Sequence, residues 1–212
     1  MADKSNQFCT FYFVRHGKTE YNEELRLQGI IDTKLSKGGL DGAKHVYELI
    51  KGEPVDLIIT NSLGRTGATA KYYSEKFGAP IEQDKLVDCR DWGEWNGRLT
   101  KDLLQFYPKN KNGVMGKPVG RIVGYHNNRI ELYSEGVQRA KKFIYQTSLR
   151  CPGKTIIVVT HGFILNSLLS ALKISGLHAP YCPHYSYLKI RSDSIKMILD
   201  EMYAVSNQII RL

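Results

Sequence analysis

Residues 8–19 read FCTFYFVRHGKT. The segment FCTFYFV at 8–14 is apolar and β-branched with no polar alternation, and it stops at Arg15-His16-Gly17. That is the pattern of a short strand buried on both faces, and such strands belong to sheets covered by helices on each side. The same pattern recurs along the chain. VDLIIT at 55–60 and TIIVVT at 155–160 read as further buried strands. GLDGAKHVYELIK at 39–51 sets Leu40, Ala43, Val46, Tyr47 and Ile50 at helical spacing before the stop signals Gly52 and Pro54. Residues 65–77 read as a helix ending at Gly78, and 163–172 as a mostly apolar helix. Segments 186–190 and 195–199 flank RSDS at 191–194 and predict a hairpin. Strands alternating with helices predict parallel βαβ units, with an antiparallel element near the C-terminus.

The 212 residues carry 30 Lys+Arg against 21 Asp+Glu, a net charge of +9, and are 42% hydrophobic and 24% charged. A chain this apolar can bury enough surface to offset its ordering entropy, which excludes general disorder. One domain spanning 1–212 is expected at this length. No apolar run approaches the roughly 20 residues that cross a bilayer. The leading MADKSNQ is polar and lacks a signal-peptide core. Both features predict a cytoplasmic protein with no membrane partner. Cys9, Cys89, Cys151 and Cys182 show no paired spacing, which argues against a disulfide framework and against a zinc site.

The positive charge is concentrated. Between residues 98 and 154 stand twelve Lys/Arg, Lys109, Lys111 and Lys117 among them, against Asp102, Glu131 and Glu135; the remainder of the chain is neutral. Charge so gathered favours an anionic partner, either a nucleic-acid backbone or a small phosphorylated ligand, or else forms a solvated basic face. No nucleic-acid-binding motif accompanies it, so no nucleic acid is expected. Within this segment, 107–124 is rich in Gly, Pro, Lys and Asn and reads as an irregular, lid-like excursion, placed around 98–130.

Three loops follow predicted strands, at the end where open α/β sheets place ligands: Arg15-His16-Gly17-Lys18-Thr19, Asn61-Ser62-Leu63-Gly64-Arg65, and His161-Gly162. If the strands are neighbours, two histidines and two arginines converge on one crevice. Arginine presents a planar fork of donors suited to phosphate oxygens and keeps its charge at neutral pH. Nearby cations hold an imidazole neutral, and a neutral imidazole is a competent nucleophile. Gly17 and Gly162 are expected to leave backbone amides free for an anion.

These motifs resemble the histidine phosphatase, or phosphoglycerate mutase-like, superfamily. VRHGKTEYN at 14–22 resembles its opening motif and continues into LRLQG at 25–29, Asp32, Leu35-Ser36, Gly38-Gly39 and Ala43. Ser62-Leu63-Gly64-Arg65 with Thr69-Ala70 resembles its second arginine motif, Val159-Thr160-His161-Gly162 its second histidine motif, and WGEWNG at 92–97 the tail of its acid-bearing loop. The resemblance implies a three-layer α/β/α sandwich around a mostly parallel central sheet. It implies that His16 attacks phosphorus and carries the group as phosphohistidine, while Arg15, Arg65 and His161 hold the non-bridging oxygens. Asn22, Gln28 and Gly29 would line the substrate side with Gly17 and Gly162. No metal and no cofactor are implied, because fixed cations supply the charge.

The chain departs from that pattern at one position. The family carries a Glu four residues before the glycine matching Gly93, to protonate the leaving oxygen; here that place holds Cys89. Asp88, one residue earlier, is the nearest substitute and the expected acid if the loop shifts by one position. Asp91 is a poorer candidate. Cys89 reads as a small buried apolar residue, with a thiol donor as the alternative. The expected function is hydrolysis of a phosphomonoester on a small, multiply charged metabolite, favoured by Lys18 beside His16. The alternatives are phosphoglycerate mutase-type transfer and a catalytically impaired phospho-ligand binder.

Overall fold

The computed structural model describes residues 8–104, 130–173, 182, 184–204 and 208–211. Its elements run β1 (Cys9–Arg15), α1 (Glu20–Glu23), α2 (Asp41–Ile50), β2 (Leu57–Thr60), α3 (Gly64–Phe77) and β3 (Ile81–Gln83). They continue with α4 (Thr100–Leu104), α5 (Tyr133–Arg150), β4 (Thr155–Thr160), α6 (Gly162–Ala171), β5 (Tyr187–Ser192), β6 (Met197–Ala204) and β7 (Gln208–Arg211). One seven-stranded sheet has the order β3-β2-β4-β1-β5-β6-β7. The half from β3 to β1 is parallel, and β5, β6 and β7 extend it antiparallel. The mixed α/β fold with helices on both faces is the one the sequence predicts. The excursion at 107–124 lies outside the described residues.

Strand alternation accounts for the unbroken apolar runs. In β1, Phe11 and Phe13 face one side with Ile156 and Val158 of β4, against Phe143 and Ile144 of α5 and Ile164 and Leu168 of α6. Tyr12 and Val14 face the other side with Ile157 and Val159, against Ala43, Val46 and Ile50 of α2 and Ala70 and Tyr73 of α3. Period-two alternation between two apolar layers keeps the strand interiors, 11–14 and 156–159, free of charged residues.

The same arrangement creates the crevice. β1 and β4 are hydrogen-bonded neighbours, Val14 opposite Val159 and Arg15 opposite Thr160. The chain leaving β1 goes on to α2 on one face, whereas the chain leaving β4 enters α6 on the other. Adjacent parallel strands whose connections diverge open a gap at their C-terminal ends, where doubly wound sheets bind ligands. Among the described residues, no helix is long and apolar enough to cross a membrane.

Candidate active site

A cavity of about 800 Å³ sits over the C-terminal ends of β1, β2 and β4. Arg15, His16, Arg65 and His161 all line it, so the structure gathers these four predicted residues at one place. His16 and His161 meet edge to face, with ring centroids 5.0 Å apart. His16 is 3% exposed. Its backbone N–H donates to Thr160 O at 2.9 Å, tying the end of β1 to the end of β4. Its Nδ1 lies 2.7 Å from the Gly17 carbonyl, which can only accept; Nδ1 therefore carries the proton and Nε2 keeps the lone pair.

Burial pushes the His16 pKa well below the ordinary imidazole value, and His161, Arg65, Arg15 and His184 push in the same direction. His161 is lowered likewise, by burial first and then by Arg65, Arg15 and Arg139. The neutral imidazole that nucleophilic attack requires is thus the resting state of His16 at physiological pH.

The cations are held by carbonyls. Arg65, only 1% exposed, donates from Nη1 to Ile31 O and from Nη2 to Gly29 O, both at 2.7 Å. Gly29 adopts φ +54°, a left-handed conformation that L side chains rarely adopt, which aims its carbonyl at the guanidinium. Asp32 accepts from the Gly64 and Arg65 amides at the start of α3, 2.5 and 3.3 Å away, and lies 3.6 Å from Arg65 Nη1. Arg15 Nη1 donates to Cys182 O at 2.6 Å.

Asn22, Gln28, Gly29 and Gly162 also line the cavity. Asn22 Oδ1 accepts from the Thr19 N–H and hydroxyl, at 3.1 and 2.9 Å, and Gln28 Oε1 accepts from the Thr33 hydroxyl at 3.0 Å. With its oxygen so engaged, each amide has its NH₂ donors left for a ligand oxygen in the proposed site. Gly162 begins α6, placing the positive end of a helix dipole at the cavity wall.

The structure places two of the expected residues off the cavity wall. Gly17 does not line the cavity: its N–H donates to Thr69 Oγ1 at 2.9 Å and its carbonyl accepts from His16. Its smallness serves packing instead, since a Cβ there would lie 2.5 Å from Gly39 O. Asp88 is absent from the cavity wall too, and Cys89 occupies that place beside Arg65. Backbone contacts hold the loop in this register. Thr160 Oγ1 donates to Val87 O at 2.7 Å. Arg139, anchored on Glu131, donates to the carbonyls of Leu86, Asp88 and Cys89 at 2.9, 3.0 and 3.4 Å. Burial raises the Asp88 carboxyl, and Arg139 and then the Asn61 amide pull it back. Burial pushes the Cys89 thiol up, and Arg65 pulls it back.

Asp88→Asn is therefore expected to keep kcat for an alkyl phosphate within about tenfold, because the side chain stands off the cavity wall. A loss of roughly 10²- to 10⁴-fold, the cost of removing a general acid, would return that role to Asp88.

Sequence reasoning missed His184. Its Nδ1 donates to His16 O at 3.0 Å, its ring lies 5.4 Å from that of His16, and burial lowers its pKa to about 3. It is separated from His16 by 168 residues and ends no predicted strand, so periodicity could not find it. Asn61 and Asp32 belong to the strand-end loops and motifs, but nothing in their local sequence signals the bonds they make.

The sequence matches the histidine phosphatase superfamily (branch 1) over residues 11–194. The chain belongs to that superfamily. It is 27% identical over 190 residues to phosphoserine phosphatase 1 of Hydrogenobacter thermophilus, covering 88% of each chain. It is 30% identical over 198 residues to the probable phosphoglycerate mutase GpmB of Cronobacter sakazakii, covering 88% of this chain and 83% of that one. Among solved structures it resembles Bacillus stearothermophilus YhfR, with a TM-score of 0.73 at 24% identity over 90% of this chain and 95% of that one. The superfamily assignment fits the geometry above: a histidine at the end of β1, a second at the end of β4, and two arginines between layers.

Proposed function

We propose that this histidine phosphatase superfamily member hydrolyses a phosphomonoester through a covalent phosphohistidine on His16, and that its substrate is a small metabolite with more than one negative charge. The observation that carries the reading is the His16 ring itself. It is neutral by burial, its Nδ1 is committed to Gly17 O, and its Nε2 is left to attack in a cavity shared with Arg15, Arg65 and His161. Attack forms the Nε2–P bond as the P–O bond to the leaving group breaks. Arg15, Arg65 and the His161 N–H would stabilise charge on the non-bridging oxygens, and water then cleaves the N–P bond. These fixed cations suit a reaction with no metal and no cofactor. The free thiols of all four cysteines suit a reducing, cytoplasmic location.

The mouth supports the substrate class. Lys18, Arg26, Arg90 and Lys101 line it beyond Arg15 and Arg65, and Glu24 is the acidic residue of the lining, held by Arg26 at 2.6 Å. Trp92 and Phe163 add aromatic walls, with the Arg90 guanidinium 4.2 Å from the Trp92 ring centroid. The test is an initial-rate screen of bisphosphates, sugar phosphates and nucleotides against p-nitrophenyl phosphate at two salt concentrations. The preferred substrate is expected to carry at least two charged groups, and its KM to rise severalfold between 0.05 and 0.5 M salt (roughly a 14 to 4 Å Debye length), with little change for p-nitrophenyl phosphate. Equal KM values and no salt response would remove the charge criterion.

Phosphoglycerate mutase-type transfer is the second reading, favoured by the 30% identity to GpmB. Isomerisation of a phosphoglycerate without net phosphate release would establish it.

A further inference from the structure

We propose that Asn61 is a positioning residue: it locks the His161 ring in the tautomer with its proton on Nδ1, so that this N–H is a fixed donor to a phosphoryl oxygen. The inference rests on reading the cavity as a phosphoryl-transfer site, and it adds a residue to which the motifs assign no role.

The hydrogen bonds of one buried carboxamide fix the geometry. Asn61 is 1% exposed, immediately after β2. Its Oδ1 accepts from the Leu63 N–H at 3.1 Å and from the Thr66 hydroxyl. With Oδ1 so fixed, the group 2.7 Å from His161 Nε2 is Nδ2, which can only donate. The Asp88 carboxyl lies near this amide, which pulls its pKa down against the larger effect of burial. A flipped amide would set NH₂ against the Leu63 N–H. The Leu63 N–H, which can only donate, therefore sets Oδ1 on its own side and Nδ2 toward His161.

Because Nε2 accepts, the neutral His161 ring must carry its proton on Nδ1. That atom is buried and has no hydrogen-bond partner among the described residues, on a ring that lines the cavity. A buried donor left unmatched costs stability, and a site of this kind is accounted for if a ligand oxygen supplies the acceptor. The opposite tautomer would turn a lone pair toward the phosphoryl oxygens and repel them. The charged and titratable groups around the ring are Arg15 and His16 at the end of β1, Arg65 on α3, Arg139 on α5, and Asp88 behind Asn61. Burial first, and then these cations, hold the ring neutral, so its donor must be provided by tautomer choice and not by a second proton.

Asn61→Asp keeps the shape and the bonds from Leu63 and Thr66 but turns the donor into an acceptor. The neutral ring then protonates Nε2 and loses its Nδ1 donor; only the imidazolium, with both nitrogens protonated, restores it. At pH 8 the variant is expected to lose on the order of 100-fold in kcat, the scale of one oxyanion donor. The deficit should shrink as pH falls toward 6, relative to wild type on the same substrate. A variant profile superimposable on wild type would overturn the proposal. Independently of turnover and of the variant's folding, ¹⁵N-histidine-labelled wild type at pH 7.5 should show His161 Nδ1 protonated and Nε2 unprotonated, assigned by the signals lost in His161→Gln. A protonated Nε2 would overturn the lock. If the wild type hydrolysed and transferred no phosphomonoester, the functional reading would fall, and the nitrogen spectrum would still decide the tautomer.

Discussion

His16→Ala is expected to abolish turnover, with a loss on the order of 10⁴- to 10⁶-fold in kcat, the range associated with deleting a covalent nucleophile. The size follows from how much of the site serves one lone pair. The Gly17 carbonyl fixes the ring proton on Nδ1, the His184 N–H holds the His16 carbonyl, and the Thr160 carbonyl holds its amide. Removing the imidazole leaves Arg15, Arg65 and His161 able to bind an anion with nothing to attack it. Binding of inorganic phosphate should therefore persist while turnover vanishes. The readout is rapid quench with a ³²P-labelled substrate: wild type should yield an acid-labile, protein-bound label, and His16→Ala none. A variant that retained more than a tenth of wild-type kcat, or still formed the labelled intermediate, would remove His16 from the chemistry. Circular dichroism of the variant guards against loss of fold, which is not expected, because the ring lines a cavity and lies outside both core clusters.

Legibility in the sequence followed burial. β1 and β4 could be read from single letters because both of their faces are apolar, and a short unbroken apolar run is what a strand covered on both sides requires. α5 could not. It is the longest helix among the described elements, yet its buried stripe consists of Gly136, Ala140, Phe143, Ile144, Thr147 and Ser148, in which only two large apolar residues mark the period. Small residues stand there because α6 comes close; a Cβ on Gly136 would collide with the Phe163 ring. β3 was illegible for a different reason, since an exposed three-residue edge strand has no buried face to pattern.

The site divides along the same physical line. Arg15, His16, Arg65 and His161 were legible because each stands at or just beyond a buried strand, and strand order does the rest. The facing of Asp88 and Cys89 was not. It is set by the short turn Lys85–Val87 and by Arg139, some 50 residues away, gripping three carbonyls of that loop. Gly17 shows the same limit: its motif position suggested a free amide, but the Thr69 hydroxyl on α3 occupies that amide. Local sequence identifies which groups arrive at a site, whereas long-range hydrogen bonds decide which of their atoms remain available.

The chemistry of the site also sets how the protein responds to acid. His16, His161 and His184 are held neutral, the first two well below 6.5 and His184 at about 3, each chiefly by burial. In the unfolded chain all three titrate near 6.5. Below that pH the unfolded state binds more protons than the native state, so stability must fall as pH falls; above it the contribution is fully present. Each histidine costs about 1.4 kcal/mol per pH unit in this window, so three together cost about 4 kcal/mol per unit. Against a typical domain stability of about 5–15 kcal/mol, a slope of this size makes acid destabilisation begin just below pH 6.5. The carboxylates held low in the fold, Asp56 and Asp193, do not account for an onset near pH 6.5. Asp56 is held below its ordinary value and loses its stabilising effect only under about pH 4, while the raised Asp88 acts in the opposite direction. The measurement is the urea midpoint at pH 7.5, 6.5, 5.5 and 5.0 in a buffer free of phosphate, since a bound anion would stabilise the native state. The midpoint should be flat above 6.5 and fall steeply below it, and His184→Gln should remove about a third of the slope. A midpoint unchanged down to pH 5 would mean that the three rings take up protons in the folded protein, and the neutral His16 on which nucleophilic attack depends would be lost with them.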